Sequence, residues 1–280
     1  MRLGLSSYTF GWAVGVPGHP PACPLDELGL LERARALGVS LLQLGDNLPL
    51  HTFDPARRAR FIARAAQLGV ELELGARGLT PERVAQYAAL ARAAGARLVR
   101  FIIDDADYHP EAKAVSAILR EAAPTLGELT LAMENHDRFT ASELRAMIET
   151  AGSDRIGVCL DTANSLGAGE GLESVVAVLG PLTVNLHVKD FSIERVPSKM
   201  GFTVTGRPAG AGRLNVPALV EQLAKFQRCR TAILELWTPP EAALEQTIAK
   251  EAAWAAQSIE YLRPLFDPEP ALATRTERGL

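Results

Sequence analysis

Short apolar runs alternate with amphipathic stretches along almost the whole chain, and this alternation limits the fold more than any value of composition does. The runs are RLGLSSY (residues 2–8), VSLLQL (39–44), Val70 to Leu74, RLVRFII (97–103), LTLAMENHD (129–137), RIGVCLDTAN (155–164), LTVNLHVKD (182–190) and TAILELW (231–237). Continuous apolar runs bounded by turn residues read as strands of a parallel sheet, covered on both faces. Helical stretches separate them: Pro24 to Leu37, one capped by Asp54, one capped by Thr80, about Pro110 to Ala123, Ala141 to Ala151, Glu173 to Leu179, Val216 to Phe226, and Pro240 to about Leu265. Asp54-Pro55 and Thr80-Pro81 place a side-chain acceptor at the cap and proline in the first turn, where its missing N–H leaves no bond unmade. Strands and helices in strict alternation predict an α/β fold, a (β/α)8 TIM barrel, rather than a doubly wound open sheet. Residues 1–266 are expected to form this single domain. Residues 267–280 (DPEPALATRTERGL) lack apolar periodicity and are expected to form a loose C-terminal tail.

Length and charge narrow the class of function. A chain of 280 residues is normal for one such barrel. The net charge of −4, with acids and bases interspersed, gives no basic stripe for nucleic acid or an anionic membrane. The three cysteines (Cys23, Cys159, Cys229) are far apart and lack CxxC spacing, so neither a disulfide framework nor a structural zinc site is expected. A reducing, cytoplasmic setting is the expectation. Ser6, Ser7 and Thr9 interrupt the N-terminal apolar run, which reads as the first strand rather than a leader. Phe191 to Asn215 is the one long irregular stretch. It contains Pro197, Gly201, Gly206, Pro208, Gly210 and Gly212, and its length points to a functional loop or lid.

Four of the runs end on a group that can bind metal: Glu134, Asp161, His187 and Glu235. In a barrel the strand ends converge on one mouth, with neighbours about 5 Å apart. Each residue alone is more often a loop cap, an ion-pair partner or a satisfied core histidine, but the same chemistry on four successive strands is a pattern. Three carboxylates and one imidazole form a hard, oxygen-rich set suited to one divalent ion, Mn2+ first, with Mg2+, Co2+ or Zn2+ as alternatives. Further candidates for contact with substrate are Asn164, three residues after Asp161; Lys189, on the same side of its strand as His187; His136, two residues after Glu134; Arg207 in the glycine-rich loop, for an anionic group; and Trp237 and Tyr8, for stacking on a sugar.

ENHDRF, CLDTANS, LHVKD and ILELW together resemble the xylose isomerase-like barrels, specifically the sugar phosphate isomerase/epimerase group. The resemblance covers most of the chain and is strongest from Leu129 to Trp237. It implies that the four residues bind one divalent metal and that Glu134 and Glu235, on opposite sides of the substrate, exchange a proton with carbon. Ketose epimerases of the group carry a glutamate and a histidine where this chain has Thr140 and Asn164. That departure speaks against a free 3-ketohexose substrate. A homo-oligomer is expected by analogy with the family alone.

The expected function is therefore a metal-dependent sugar or sugar-phosphate isomerase/epimerase working through a metal-stabilised enediolate on a small carbohydrate or polyol. A dehydratase or lyase of a cyclic polyol or keto acid, of the inosose or 3-dehydroshikimate type, shares the same first step. An endonuclease reading is weak, since only one of five histidines stands at a motif position. An intact ligand set speaks against a non-catalytic binding module.

Overall fold

The computed structural model describes residues 1–266; the tail expected over residues 267–280 lies outside the described residues. Eight parallel strands close into one barrel: β1 (Arg2–Ser6), β2 (Leu41–Leu44), β3 (Glu71–Arg77), β4 (Leu98–Ile102), β5 (Thr130–Glu134), β6 (Ile156–Asp161), β7 (Thr183–Val188) and β10 (Thr231–Leu234). Their order is β1-β10-β7-β6-β5-β4-β3-β2, with β2 paired back onto β1. The outer helices are α2 (Glu27–Ala36), α3 (Pro55–Leu68), α4 (Pro81–Ala94), α5 (Ala112–Ala122), α6 (Ala141–Thr150), α7 (Leu172–Leu179), α8 (Val216–Ala224) and α9 (Leu244–Leu262), and one short turn of helix, α1 (Gly11–Val14), follows β1. The chain is a single-domain (β/α)8 TIM barrel, as the alternation predicts.

Strand alternation sorts the residues into two sets. Leu42, Leu74, Phe101, Met133, Leu160 and Leu186 are buried in the main apolar core under the helices. The opposite set is largely polar, including Gln43, Glu73, Arg100, Glu134, Asn185 and His187, all buried. Helices start where side chains accept the free N–H groups of the first turn: Asp26, Asp54, Thr80, Thr140 and Asn215. Each such cap contributes about 1 kcal/mol. Thr140 also forms a capping box, in which the Glu143 carboxylate accepts its N–H and hydroxyl at 2.9 and 2.8 Å. The residue standing where ketose epimerases carry a glutamate is therefore engaged in starting α6.

Beyond shifts of a few residues at element ends, such as α2 starting at Glu27 rather than Pro24, three differences from the sequence expectation stand out. First, β3 runs on to Arg77 instead of ending at Leu74, and Gly75 within the extension leaves the room that Arg100 occupies. Second, α9 begins at Leu244 rather than Pro240, and the Glu241 N–H donates to Thr247 Oγ1 at 2.9 Å just ahead of it. Third, the stretch expected to be irregular, residues 191–215, is half ordered. Strands β8 (Asp190–Arg195) and β9 (Phe202–Arg207) form an antiparallel ribbon. Glycine and proline content masked this pairing, since both are also turn signals. Asp190 anchors the chain after the ribbon by accepting the N–H groups of Gly210, Gly212 and Leu214, each at 3.0 Å. Gly206 lies so close to Trp237 that a Cβ would sit 1.7 Å from its carbonyl oxygen.

The three cysteines are free. Among the described residues no helix is long and apolar enough to cross a membrane.

Glu251 on α9 is buried and accepts the N–H groups of Trp12 and Ala13 at 3.0 and 3.1 Å, which ties α1 to the barrel. Burial pushes its carboxyl up to about 7, against the pull of those N–H groups. The folded state therefore holds this proton more tightly than the unfolded chain. The stabilisation is complete below the ordinary value near 4.5 and fades as the pH rises to about 7. Thermal melts across that window should show wild type losing stability relative to Glu251→Gln; parallel curves would remove Glu251 from the account.

Candidate metal centre

Glu134 ends β5, Asp161 ends β6, His187 is the fifth residue of β7, and Glu235 follows β10 directly. These are four adjacent strands of the closed sheet, so the side chains meet at its C-terminal mouth. His187 Nδ1 is the common neighbour. It lies 3.4 Å from Glu235 Oε1, 3.7 Å from Glu134 Oε1 and 3.9 Å from Asp161 Oδ2. All four side chains are almost fully buried. His187 Nδ1 and Glu235 Oε1, 3.4 Å apart, have no hydrogen-bond partner, whereas Glu134 Oε2 and Asp161 Oδ2 face the charged groups of Arg100 and Lys189. Such groups are costly to bury unless something else satisfies them.

Asp161, His187 and Glu235 present ligand atoms within 4.8 Å of one another, a spacing that a divalent cation fits, with Glu134 beside them 3.7 Å from His187. Ligand atoms about 2.0–2.2 Å from one ion lie roughly 3–3.5 Å apart, slightly closer than the spacings here. The donors are hard, and the charge of three carboxylates calls for a cation. A second grouping, Glu134, Cys159 and His187, is compact enough to hold an ion. However, burial pushes the Cys159 thiol well up, and its Sγ donates to Asn185 at 3.1 Å. A thiolate ligand is disfavoured there.

Two basic side chains compensate the acids. Lys189 Nζ lies 2.8 Å from Asp161 Oδ2, 3.0 Å from Glu235 Oε2 and 3.4 Å from Asn164 Oδ1. Burial opposes its charge, but Asp161 and Glu235 outweigh that and raise its pKa. Arg100, on β4, is buried. Its Nε lies 3.2 Å from Glu134 Oε2 and its Nη1 donates to Asp46 at 2.8 Å. Burial pushes the Glu134 carboxyl up, yet Arg100, His187 and Lys189 together hold it well below the usual carboxylate range. Glu134 Oε1 also accepts from Asn164 Nδ2 at 2.8 Å. Asp161 Oδ1 accepts the N–H groups of Ala163 and Asn164, both at 2.8 Å, which aims Oδ2 at the cluster.

Of the residues singled out in the sequence, Glu134, Asp161, His187, Glu235, Asn164 and Lys189 thus form one cluster. Tyr8 stands one link away: its hydroxyl donates at 3.0 Å to Asp46, the partner of Arg100. The others have no hydrogen bond or ion pair with the cluster among the described residues. His136 Nδ1 is 2.7 Å from Asp137, on a partly exposed side chain. Arg207 pairs with Glu194 across the ribbon. Trp237 is 46% exposed at the ribbon's edge. Sequence reasoning missed Arg100, Asp46, Gln43 and Glu73. The signal was present, since Gln43, Glu73 and Arg100 are polar residues inside otherwise apolar strand runs. A separate cavity of about 1160 Å3 opens among Glu71, Arg97, Glu128 and Arg155, toward the strands' N-terminal ends, and contains none of the cluster.

The family model described as the xylose isomerase-like TIM barrel matches residues 30–265. The chain belongs to that family. It is 32% identical over 266 residues to a 3-oxo-isoapionate decarboxylase of Pectobacterium atrosepticum, covering 94% of this chain and 95% of the relative. A xylose isomerase-like barrel protein from Mycobacterium smegmatis, solved in complex with magnesium, superposes with a TM-score of 0.69 at 16% identity, covering 93% and 97% of the two chains. A D-psicose 3-epimerase from Clostridium cellulolyticum H10, solved with D-tagatose, gives 0.70 at 14% identity over 95% and 99%. At these identities the solved structures speak for the fold.

Replacing Arg100 by leucine leaves Glu134 without its guanidinium and should destabilise the protein by about 3–5 kcal/mol, partly recovered by added Mn2+. Urea unfolding with and without the ion measures both effects, and an unchanged midpoint would refute them. Gly75→Ala should lower stability by about 1–3 kcal/mol, because its Cβ would fall 2.8 Å from Arg100 Nη2 and 2.9 Å from the Gly45 Cα.

Proposed function

We propose that the chain is a divalent-metal-dependent decarboxylase of a small, polyhydroxylated 3-oxo acid. The observation that carries the reading is the convergence of metal-capable groups from Glu134, Asp161, His187 and Glu235, with His187 Nδ1 and Glu235 Oε1 lacking a hydrogen-bond partner, beside the Lys189 ammonium. The 32% identity to a 3-oxo-isoapionate decarboxylase, over nearly the full length of both chains, supports the choice of reaction.

Glu134, Asp161, His187 and Glu235 would hold the cation. Bound there, it would polarise the keto oxygen and stabilise negative charge developing on it. In a 3-oxo acid the bond between C2 and the carboxylate breaks, its electron pair enters an enolate, and carbon dioxide leaves. A proton must then reach C2. Lys189 carries protons at the cluster, held by Asp161 and Glu235, and is the group assigned to deliver one. Asn164 ties the two halves together, accepting from Lys189 Nζ at 3.4 Å and donating to Glu134 at 2.8 Å.

This reading departs from isomerase/epimerase chemistry at one point. Exchange of a proton between two carboxylates needs Glu134 as a base. Its pairing with Arg100 and its lowered pKa make it a poor one, while leaving it a good anionic ligand. Decarboxylation needs no base to remove a proton from carbon. The isomerase/epimerase reading remains second, favoured by the position of Glu134 and Glu235 as the outermost members of the four.

Incubation of Mn2+-loaded protein in D2O with 3-oxo sugar acids, and separately with ketoses and sugar phosphates, tells the readings apart. Expected are release of carbon dioxide and one deuterium at the former C2. Lys189→Met should slow product formation by about 100-fold or more. Deuterium uptake into ketoses without carbon dioxide would establish the second reading instead, and neither signal would defeat both.

A further inference from the structure

Gln43, in the middle of β2, is fully buried beside the cluster. Its Nε2 donates to Glu73 Oε2 at 3.0 Å and to Asn185 Oδ1 at 3.2 Å, and its Oε1 lies 2.8 Å from His187 Nε2. Neighbours fix the direction of this amide. Asn185 Nδ2 donates to Thr231 Oγ1 at 2.7 Å and to Glu73 Oε2 at 3.3 Å, so Asn185 Oδ1 must accept, from Gln43 and from Cys159 Sγ at 3.1 Å. The Thr231 hydroxyl meets Glu73 Oε1 at 2.8 Å. A flipped Gln43 would set its carbonyl oxygen against Glu73 Oε2 and Asn185 Oδ1, two acceptors. An ionised Glu73, both oxygens of which accept, holds the amide in this direction.

With Gln43 Oε1 turned toward His187, Nε2 of that ring must carry a hydrogen. In the neutral ring Nδ1 is then the free lone pair, and Nδ1 is the atom facing three carboxylate oxygens at 3.4–3.9 Å without a hydrogen bond. We propose that Gln43, locked in place by Glu73, is a positioning residue that sets the tautomer of His187 and so readies Nδ1 for a divalent cation. The inference rests on the metal-centre reading and deepens it: two residues of β2 and β3, strands that supply no ligand, would determine the affinity of a site built on β5, β6, β7 and β10.

Two measurements test it. In metal-free, 15N-labelled protein at alkaline pH, long-range 1H–15N spectra should show His187 protonated on Nε2; a hydrogen on Nδ1 would overturn the proposal. Calorimetric titration with Mn2+ should show an affinity about 10–100-fold weaker for Gln43→Leu and a smaller loss for Glu73→Gln. The double exchange Gln43→Glu with Glu73→Gln should recover much of the loss, because an amide at position 73 can donate to a carboxylate at position 43, which then accepts from His187. A purely structural role predicts no such recovery, and circular dichroism identifies any variant that has not folded. If wild type binds Mn2+ and folded Gln43→Leu binds it equally well, this inference alone falls. If wild type binds no Mn2+, the metal-centre reading falls and takes the positioning role with it.

Discussion

Repulsion among buried carboxylates is the constraint around which the barrel mouth is arranged. Ligand atoms of Asp161, His187 and Glu235 all lie within 4.8 Å of one another. At such a range two unit charges interact by roughly 3–4 kcal/mol at the effective dielectric of a protein interior. Three acids cannot be gathered there without positive charge close by. Lys189 and Arg100 supply part of it from opposite flanks, Lys189 against Asp161 and Glu235, Arg100 against Glu134. His187 lies between them. Its pKa is drawn upward because Glu235 and Glu134 outweigh the burial that opposes its charge.

That arrangement depends on strand chemistry well below the mouth. Arg100 can lie inside the barrel because β3 offers glycine at position 75, where any side chain would meet the guanidinium. Asp46, just past β2, joins Arg100 to Arg77 and Tyr8, with contacts of 2.8, 3.0 and 3.0 Å. Burial alone would raise the Asp46 carboxyl; the two guanidiniums outweigh it and keep the group ionised. A buried pair of this kind adds little net stability, and removal of one partner is expensive. Its value is geometric, in that it holds one oxygen of Glu134 while leaving the acid able to serve the cluster.

Most of the architecture was legible in the sequence because hydrophobic periodicity and capping chemistry are local. Asp54-Pro55 and Thr80-Pro81 start their helices as their residue types require. The four apolar runs that end in Glu134, Asp161, His187 and Glu235 form adjacent strands because a closed parallel barrel leaves few other arrangements. What escaped was non-local. The ribbon of β8 and β9 was hidden because pairing depends on register, and its glycines read equally well as turns. Arg100, Gln43 and Glu73 escaped because an isolated polar residue in a strand run does not reveal whether it faces a helix or the barrel interior. Arg207 shows the converse: an arginine among glycines reads as free to bind an anion, yet Glu194 lies opposite it in the folded ribbon.

The same distinction separates the shared chemistry of the family from the reaction of one member. The candidate ligands are legible along the chain, and a cation held by them would stabilise an enolate. Which bond is broken to form that enolate depends on whether the flanking carboxylates are free to act as bases. In this chain Arg100 on β4 holds one of them, Glu134, while the Lys189 ammonium lies against Asp161 and Glu235. Loss of a carboxyl group creates an enolate without prior removal of a proton. Under the proposed decarboxylation, the Lys189 ammonium would supply the proton and Glu134 would not be needed as a base.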